Sequence, residues 1–204
     1  MIQSAVEEIR AGRPVVIPTD TVYGLCSDPY REPPVRELYR MKGRPQTQPI
    51  ALLVRDLEFL LECVPELRGR AGTTARALLP GPYTLILPNP ARRYRWLTGE
   101  NPDTIGVRVP ELGGPGGEVV EQVGALAATS ANLAGGSDPR RLEDVPVELR
   151  AGAAALVDGG ELPGTPSTVL DLTDDEPRVV REGAVPAATA LEHALAATAG
   201  RLRE

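Results

Sequence analysis

Short apolar runs alternate with amphipathic stretches along most of this 204-residue chain. Segments such as "PVVIPT" (14–19) and "IALLV" (50–54) are almost continuously apolar, which is typical of strands covered on both faces. The stretch "PPVRELYRMK" (33–42) begins with prolines that suit a first helical turn, and its apolar residues follow at helical spacing. This alternation predicts an α/β domain with a covered, mixed sheet.

The length predicts one domain over residues 1–204, with a C-terminal helix within 187–204. Ser4 and Glu7 have capping-box spacing at the start of the first helix, and "GGPGG" (113–117) is predicted to be a flexible loop. The predicted helices cover residues 4–12, 33–42, 56–64, 72–79, 116–124, 143–151 and 187–198. The predicted strands cover residues 14–19, 50–54, 83–88, 104–110, 126–130, 154–160, 167–172 and 178–183.

Charge and composition limit the functions open to the chain. The formal net charge is −6, whereas proteins that coat nucleic acid nonspecifically are usually basic. Any RNA or nucleotide site is therefore expected to be local. Cys26 and Cys63 form no CxxC motif, and no secretory leader is present, which predicts a cytoplasmic location. No apolar run approaches the roughly 20 residues of a membrane span, so no membrane association is expected.

Common nucleotide and metal motifs are absent from the sequence. Lys42 follows Met41 rather than a glycine, so there is no P-loop, and "GGPGG" (113–117) does not fit GxGxxG in its strand–turn–helix frame. His193 is the only histidine, which argues against a zinc site or a histidine-based triad. Its place in a predicted terminal helix favours a position on the helix surface.

Lys42 is the only lysine among the 22 basic residues, and it lies within "YRMKGRPQTQP" (39–49). Two explanations stand side by side. A genome that favours arginine could leave one lysine on the surface by chance. Alternatively, this position requires a compact, movable ammonium instead of a planar guanidinium.

Three polar loops lie next to predicted strands: "PTDTVYG" (18–24), "SANLAGGS" (130–137) and "PGTPST" (163–168). In open α/β sheets, ligands bind beyond the strand ends, so these loops are candidates for the wall of one crevice. Taken singly, each loop is also explained as an ordinary turn, with Asn and Gly at left-handed positions.

Arg108 interrupts the apolar strand "TIGVRVP" (104–110). An unpaired guanidinium on a covered sheet face is costly, so this side chain needs an anionic partner. That partner is either a protein carboxylate or a ligand. Arg181, in "VVREG", raises the same question.

Taken together, eight segments of the chain resemble the YrdC-like threonylcarbamoyl-AMP synthases and occur in the order typical of that family. They are "IPTDTVYGL" (17–25), "KGRPQTQP" (42–49), "PGPYTLIL" (80–87), "TIGVRVP" (104–110), "ATSANLAG" (128–135), "DGG" (158–160), "PSTVLDL" (166–172) and "REGAV" (181–185). The resemblance covers about residues 5–186. It implies a twisted, open, mixed sheet with helices on both sides, around a large positively charged cleft.

The resemblance also implies an activity. Such a nucleotidyltransferase, an L-threonylcarbamoyladenylate synthase, joins L-threonine, bicarbonate and ATP into threonylcarbamoyl-AMP and pyrophosphate. Mg²⁺ is expected to accompany ATP, held by phosphate oxygens and water rather than by protein side chains, and no organic cofactor is expected. A downstream tRNA threonylcarbamoyl transferase complex would then modify an adenosine beside the tRNA anticodon.

The same resemblance assigns roles to individual residues. It implies that Lys42, Arg44, Ser130 and Asn132 are catalytic. It implies nucleotide contacts by Lys42, Arg44, Gln48, Thr104, Ser130, Asn132 and Arg181, and L-threonine contacts by Thr21, Arg108, Ala128 and Ser167. Because the substrate's own carbamate attacks the α-phosphate, these side chains are expected to position reactants and neutralise charge.

Three residues depart from the family pattern. Gln48 stands where many members have Lys or Asn, which puts a phosphate contact in doubt. Leu53 stands where some two-domain members have a histidine near the threonine. Asp138 replaces a small hydroxyl residue near the nucleotide, and Ser137 is a candidate substitute for it.

Two other functions are compatible with the same segments. One is a module of this fold that binds double-stranded RNA or tRNA without synthase activity, although the net charge of −6 weakens that reading. The other is a paralogous enzyme that makes a different carbamoyl-adenylate, as hydrogenase-maturation proteins do. Those proteins carry this domain within much longer chains, which favours the synthase.

Overall fold

The computed structural model describes residues 1–199, which form seven α-helices and nine strands. The helices are α1 (Ile2–Arg10), α2 (Glu32–Lys42), α3 (Leu57–Cys63), α4 (Gly69–Leu78), α5 (Gly114–Val123), α6 (Val147–Gly152) and α7 (Ala187–Ala199). The strands are β1 (Val15–Pro18), β2 (Tyr23–Ser27), β3 (Ala51–Val54), β4 (Tyr83–Pro88), β5 (Thr104–Arg108), β6 (Ala125–Ser130), β7 (Ala155–Leu156), β8 (Thr168–Asp171) and β9 (Arg178–Arg181).

All nine strands belong to one open sheet, in the order β7-β1-β2-β6-β3-β5-β4-β8-β9. The pairs β1–β7, β3–β5 and β4–β8 are parallel, and the other five neighbouring pairs are antiparallel. The prediction of a mixed sheet in an α/β fold is therefore confirmed.

Helices cover the two faces of this sheet unequally. Leu52 and Leu53, consecutive on β3, belong to two separate buried clusters, as expected for side chains that alternate across a strand. The Leu53 cluster joins α1 and α5 to β1, β2, β3 and β6, whereas the Leu52 cluster receives side chains from the other five helices. On the α1–α5 face, strands β4, β5, β8 and β9 contribute no side chain to the buried cluster, which leaves room there for a cleft.

Strand β2 is the main element that the sequence did not reveal. The loop predicted over 18–24 ends at Tyr23, where β2 begins. The sequence "YGLCS" has a weak strand pattern, but it pairs on both edges, with β1 and with β6. Pairing and burial outweigh local propensity here, as is common for central strands.

Several predicted helix boundaries are wrong for identifiable reasons. The capping box is wrong because α1 begins at Ile2, which places Ser4 inside the helix with its side chain exposed. "GGPGG" is not a flexible loop, because α5 begins at Gly114 with a proline in its first turn. The helix predicted over 143–151 is divided at Pro146 into a short 3₁₀ turn and α6.

At the C-terminal end, α7 confirms the helix predicted over 187–198, and residues 200–204 lie outside the described chain. His193 is exposed on α7, as predicted, and its Nδ1 lies 2.9 Å from the Tyr83 hydroxyl. The strand predicted over 154–160 shortens to the two residues of β7. None of the helices in the described range is long and apolar enough to cross a membrane.

Candidate active site

A cleft opens on the part of the sheet face that α1 and α5 leave uncovered. Its floor carries small residues on neighbouring strands, namely Gly24, Ala51, Gly106 and Ala128. Ala128 is in register with Ala51, which places two of these small side chains side by side. Larger side chains at these positions would fill the space, so the local sequence itself creates the cleft.

Three arginines give the cleft its positive charge: Arg44, Arg108 and Arg181. Burial is the main cause that lowers the pKa of Arg44 and of Arg181, and the nearby charges of Arg108 and Arg44 lower the pKa of Arg181 further. The buried Nε atoms of Arg44 and Arg108 have no hydrogen-bond partner within residues 1–199. A bound anion would relieve the charge repulsion among the three guanidinium groups.

Lys42 lies at the end of α2, immediately behind the cleft. Its side chain is buried, with 3% of the residue exposed, and its ammonium contacts the backbone oxygens of Ser130 and Asn132 and the side-chain oxygen of Asn132. The last two distances are 2.6 and 2.8 Å. Three acceptors match the three donors of an ammonium. The explanation of Lys42 as a surface residue left by chance is therefore wrong.

Hydrogen bonds of Ser130 and Asn132, both contacted by Lys42, also stabilise the turn that follows β6. Ser130 Oγ donates to Asn132 Oδ1 at 2.6 Å, and Asn132 Nδ2 donates to the Gly136 carbonyl at 2.5 Å. Burial and the neighbouring Arg44 charge lower the pKa of Lys42 to about 8. A planar guanidinium could not reproduce this compact arrangement of three acceptors, which explains a lysine at this position.

Arg108 has a protein partner that the sequence did not suggest. Its Nη2 lies 2.6 Å from Asp20 Oδ1 and 3.3 Å from Thr21 Oγ1. Both charged side chains are largely buried. Of the two partners open to Arg108, a protein carboxylate or a ligand, the structure supplies the carboxylate, because Asp20 in the β1–β2 turn approaches from across the sheet. Arg108 nevertheless lines the cleft, as expected.

At the opposite wall, β8 and β9 bring Ser167 and Arg181 together. Arg181 Nη2 donates to the Ser167 carbonyl at 2.7 Å, and the Ser167 hydroxyl lies 2.7 Å from the hydroxyl of Thr84 on β4. Gly183 packs directly against this segment. A Cβ atom at Gly183 would overlap the Pro166 carbonyl oxygen and would lie 2.6 Å from the Ser167 carbonyl carbon.

We expect Gly183→Ala to displace the segment that carries Ser167 and to lower the free energy of unfolding by about 1–3 kcal/mol, the usual range for an overpacked site. Gly113→Ala is the matched control, because a Cβ atom at Gly113 meets no atom within 4 Å and the glycine lies outside the left-handed region. Urea unfolding of both variants would test this. Equal stability of the two would contradict the close packing described at Gly183.

The structure gathers most of the predicted site residues into this one cleft. Eight of the eleven line its wall, namely Thr21, Arg44, Thr104, Arg108, Ala128, Ser130, Ser167 and Arg181. Lys42 and Asn132 lie behind the wall and reach it through Ser130. Gln48 is exposed and is not part of the cleft wall. Their assigned roles remain predictions.

Leu53 and Asp138, two of the three residues that depart from the family pattern, differ in how deeply they are buried. Leu53 is fully buried in the α1–α5 core and does not line the cleft. Asp138 is partly exposed, and its charge acts on both Lys42 and Arg181 by raising their pKa values against the effect of burial. A carboxylate therefore stands at the edge of the positive cleft.

Sequence reasoning missed two contributors to the site. Asp20 was visible as an acid in a polar strand-end loop, but nothing in the sequence paired it with Arg108. Thr129 precedes Ser130 on β6 and accepts a hydrogen bond from Arg44 at 3.3 Å. Such contacts between distant segments depend on strand order, which a single sequence does not reveal.

The family model of the Sua5, YciO and YrdC proteins, which carries the description telomere recombination, matches residues 7–183. The chain belongs to the Sua5/YciO/YrdC family. A threonylcarbamoyl-AMP synthase of Pyrococcus abyssi is 35% identical over 188 residues, which cover 91% of this chain and 54% of that protein. The threonylcarbamoyl-AMP synthase of Pseudomonas putida strain GB-1 is 36% identical over 192 residues, which cover 89% of this chain and 97% of that protein.

Solved structures show the same fold. Sua5 of P. abyssi, complexed with L-threonine, superposes with a TM-score of 0.85 at 33% identity, over 94% of this chain and 56% of that one. Escherichia coli YciO superposes with a TM-score of 0.81 at 31% identity, over 93% of this chain and 92% of that one. This family member therefore spans about half the length of the P. abyssi protein and nearly all of YciO. The predicted YrdC-like fold is confirmed.

Proposed function

We propose that this chain is an L-threonylcarbamoyladenylate synthase, which forms threonylcarbamoyl-AMP and pyrophosphate from L-threonine, bicarbonate and ATP. The observation that carries the proposal is the cleft in which Arg44, Arg108 and Arg181 face one space beside hydroxyl groups. A triphosphate and an amino acid carboxylate are both anions, and guanidinium groups can bind each of them through two parallel hydrogen bonds. The synthase relatives at about 35% identity support the same activity.

On the nucleotide side, the proposed contacts are Lys42, Arg44, Gln48, Thr104, Ser130, Asn132 and Arg181. The carbamate of the substrate attacks the α-phosphate and pyrophosphate leaves, so the protein supplies no nucleophile. Its work is to hold the reactants in line and to neutralise the charge of the leaving group. Lys42, Arg44, Ser130 and Asn132 are proposed to be the catalytic group, with Lys42 fixing the turn that presents Ser130.

Mg²⁺ is proposed to enter with ATP as part of the substrate. No carboxylate lines the described cleft, whose polar groups are hydroxyls, backbone groups and guanidinium groups. This set of donors suits a metal that is held by phosphate oxygens and water and brings its own ligands into the site. When bound, the ion would neutralise phosphate charge.

On the amino acid side, the proposed contacts are Thr21, Arg108, Ser167 and the backbone of Ala128. Arg108 is the proposed partner of the threonine carboxylate, because it lines the cleft and its Nη1 donates no hydrogen bond within the described chain. The hydroxyl groups of Thr21 and Ser167 face the same cleft and offer hydrogen bonds to the other polar groups of threonine. The complex of P. abyssi Sua5 with L-threonine supports an amino acid site in this fold.

The product is proposed to pass to a tRNA threonylcarbamoyl transferase complex in the cytoplasm, for threonylcarbamoyladenosine modification of tRNA. RNA itself is a further candidate partner. Both cysteines are free and buried, which agrees with a reducing compartment.

A second candidate is a paralogous enzyme that uses the same cleft for a different carbamoyl-adenylate. The match to YciO favours it, because that family member aligns along nearly its whole length and carries no synthase name. An RNA-binding module without synthase activity is the third alternative.

The decisive experiment is to incubate the purified protein with MgATP, bicarbonate and each amino acid in turn, and to measure pyrophosphate. Release that requires both L-threonine and bicarbonate supports the synthase. Release with another amino acid instead of L-threonine supports the paralogue. RNA binding without pyrophosphate release supports the binding module and contradicts the proposal.

Asp138 gives a prediction about ATP affinity. Its carboxylate stands beside the cationic groups that are proposed to hold the phosphates, so it repels them. We expect Asp138→Ser to lower the KM for ATP about threefold to tenfold, which corresponds to roughly 1 kcal/mol of screened repulsion. Asp103→Ser is the control, since Asp103 pairs with Arg92 on the surface. An unchanged or higher KM for Asp138→Ser would contradict the prediction.

A further inference from the structure

Asp20 and Arg108 form an ion pair at the wall of the cleft, and nothing in the proposed reaction assigns a role to Asp20. The side chains are 9% and 11% exposed, respectively, and the atoms Asp20 Oδ1 and Arg108 Nη2 are 2.6 Å apart. Thr19 and Thr21, the neighbours of Asp20 in the chain, both line the cleft. The carboxylate is thus one hydrogen bond away from the cleft wall.

This pair leaves part of the guanidinium unused. Arg108 reaches Asp20 and Thr21 through Nη2, whereas its Nη1 donates no hydrogen bond within the described residues and is not buried without a partner. Arg108 can therefore keep Asp20 and still donate to a second anion. Thr21 Oγ1 accepts from the same Nη2 at 3.3 Å, which further fixes the orientation of the guanidinium.

The charge of the pair matters because the site is largely desolvated. Burial raises the pKa of Asp20, although the charge of Arg108 opposes that effect. A net charge in such surroundings is costly, whereas a balanced set of charges is tolerated. Asp20 and Arg108 together are neutral before any ligand arrives.

We propose that Asp20 makes this subsite select a zwitterion, because its carboxylate already balances Arg108 and a ligand that brings a carboxylate must also bring a cation. L-Threonine meets this condition with its α-ammonium. Counted over Asp20, Arg108 and the ligand, a carboxylate that lacks the amine leaves one excess negative charge, and an amine that lacks the carboxylate leaves one excess positive charge. Arg181, which contacts Ser167, adds a positive charge that is the same for every ligand and for the Asp20 variants. The inference rests on the proposed function, since it concerns the amino acid subsite of that reaction.

The test compares three ligands by calorimetric titration without ATP: L-threonine, (R)-3-hydroxybutyrate, which lacks the amine, and L-threonine amide, which lacks the carboxylate. We expect the wild-type protein to bind L-threonine at least tenfold more tightly than either analogue. In Asp20→Asn the site carries the uncompensated charge of Arg108. Affinity for (R)-3-hydroxybutyrate should then rise about tenfold, while affinity for L-threonine amide should fall by a similar factor.

These opposite shifts separate selection by charge from a structural effect, because a damaged site would bind both analogues less well. Asp28→Asn is the matched control, since Asp28 is buried and pairs with Arg31 at 2.7 Å away from the cleft wall. It should leave the order of the three ligands unchanged. Asp20→Ser repeats the test with a smaller side chain if Asp20→Asn folds poorly.

Two outcomes overturn the inference, and they are distinguishable. If wild-type protein binds L-threonine but Asp20→Asn leaves the relative affinities of the two analogues unchanged, Asp20 does not select for charge and the proposed function stands. If wild-type protein does not bind L-threonine at all, both the inference and the proposed function fail.

Discussion

Replacing Lys42 with alanine is expected to lower pyrophosphate release by about 10²–10³-fold, the usual cost of removing one preorganised electrostatic contact. The ammonium is the common partner of three oxygens on the turn that carries Ser130 and Asn132. Without it, the turn loses these side-chain contacts with α2, although the backbone hydrogen bond from Ala134 N to the Lys42 carbonyl remains. The proposed nucleotide side of the cleft also loses a positive charge. The three acceptors are also left without a donor, so some loss of stability is expected as well, typically about 1–3 kcal/mol for an unsatisfied buried group.

Stopped-time pyrophosphate assays and thermal unfolding, performed on the same preparations, separate the two effects. Arg40→Ala is the control on the same helix, because Arg40 is exposed and its ion pair in the described structure is with Glu37. A folded Lys42→Ala protein with near wild-type turnover would remove Lys42 from the catalytic group.

The pH profile provides a second readout of the same prediction. Burial lowers the pKa of Lys42 to about 8, so the three-donor ammonium is present below that pH and is lost as the pH rises through it. Turnover of the wild-type protein relative to Lys42→Arg should therefore fall above pH 8, because arginine keeps its charge. The ratio cancels the ionisation of threonine and bicarbonate, which both proteins share. A ratio that stays constant from pH 7 to about 9 would show that the Lys42 proton is not required.

The contribution of Lys42 to the free energy of unfolding changes with pH in the direction opposite to activity. The unfolded chain retains the lysine proton up to about pH 10.5, whereas the folded protein releases it near pH 8. Between those values the unfolded state binds more protons, so this group makes unfolding less favourable as the pH rises. As the pH rises above about 8, activity should therefore fall while the contribution of Lys42 to the free energy of unfolding increases.

Arg108→Leu is expected to weaken L-threonine binding by about 2–5 kcal/mol, which is roughly 30-fold to several thousandfold, and to change ATP affinity much less. The guanidinium is the proposed partner of the threonine carboxylate, whereas the proposed nucleotide contacts are other residues. The variant also leaves Asp20 buried without its counter-ion. It should therefore destabilise the protein.

A double variant separates these two consequences. Asp20→Asn combined with Arg108→Leu removes both charges, so it should recover most of the lost stability without recovering L-threonine binding. Arg178→Leu is the surface control, because Arg178 is exposed and pairs with the partly buried Asp171 and the exposed Asp174. Titration of L-threonine and of ATP against all variants tests the prediction. Equal losses for both ligands would assign Arg108 a purely structural role.

The sequence predicted the parts of the fold that local patterns determine. The continuous apolar runs gave β1, β3, β4 and β6 close to their observed bounds, because covered strands need uninterrupted apolar sequence. Strand β2 was missed because "YGLCS" owes its conformation to two neighbouring strands. The effects of Pro115 and Pro146 on helix boundaries were not predicted, although Pro115 lies in the first turn of α5 and Pro146 immediately precedes α6.

For the site, resemblance identified residues that the structure brings together, but it did not reveal how they contact one another. The pairing of Asp20 with Arg108 joins positions 88 residues apart. The contact of Lys42 with Asn132 spans 90 residues. Such pairs are fixed by the order of strands in the sheet, and one sequence without that order leaves the partner of each charge undetermined.

The unequal cover of the sheet has a practical consequence for redesign of the protein. Along β4, Thr84 and Ile86 face the cleft, while Leu85 and Leu87 are fully buried on the other face. Strand β5 repeats the pattern, with Gly106 facing the cleft and Val107 in the core. Along these two strands, alternate residues therefore serve different purposes: one set faces the cleft and can affect ligand preference, and the other packs in the core and contributes to stability. A library that varies only the cleft-facing residues of β4 and β5 can therefore test new substrates while the core residues of both strands stay unchanged.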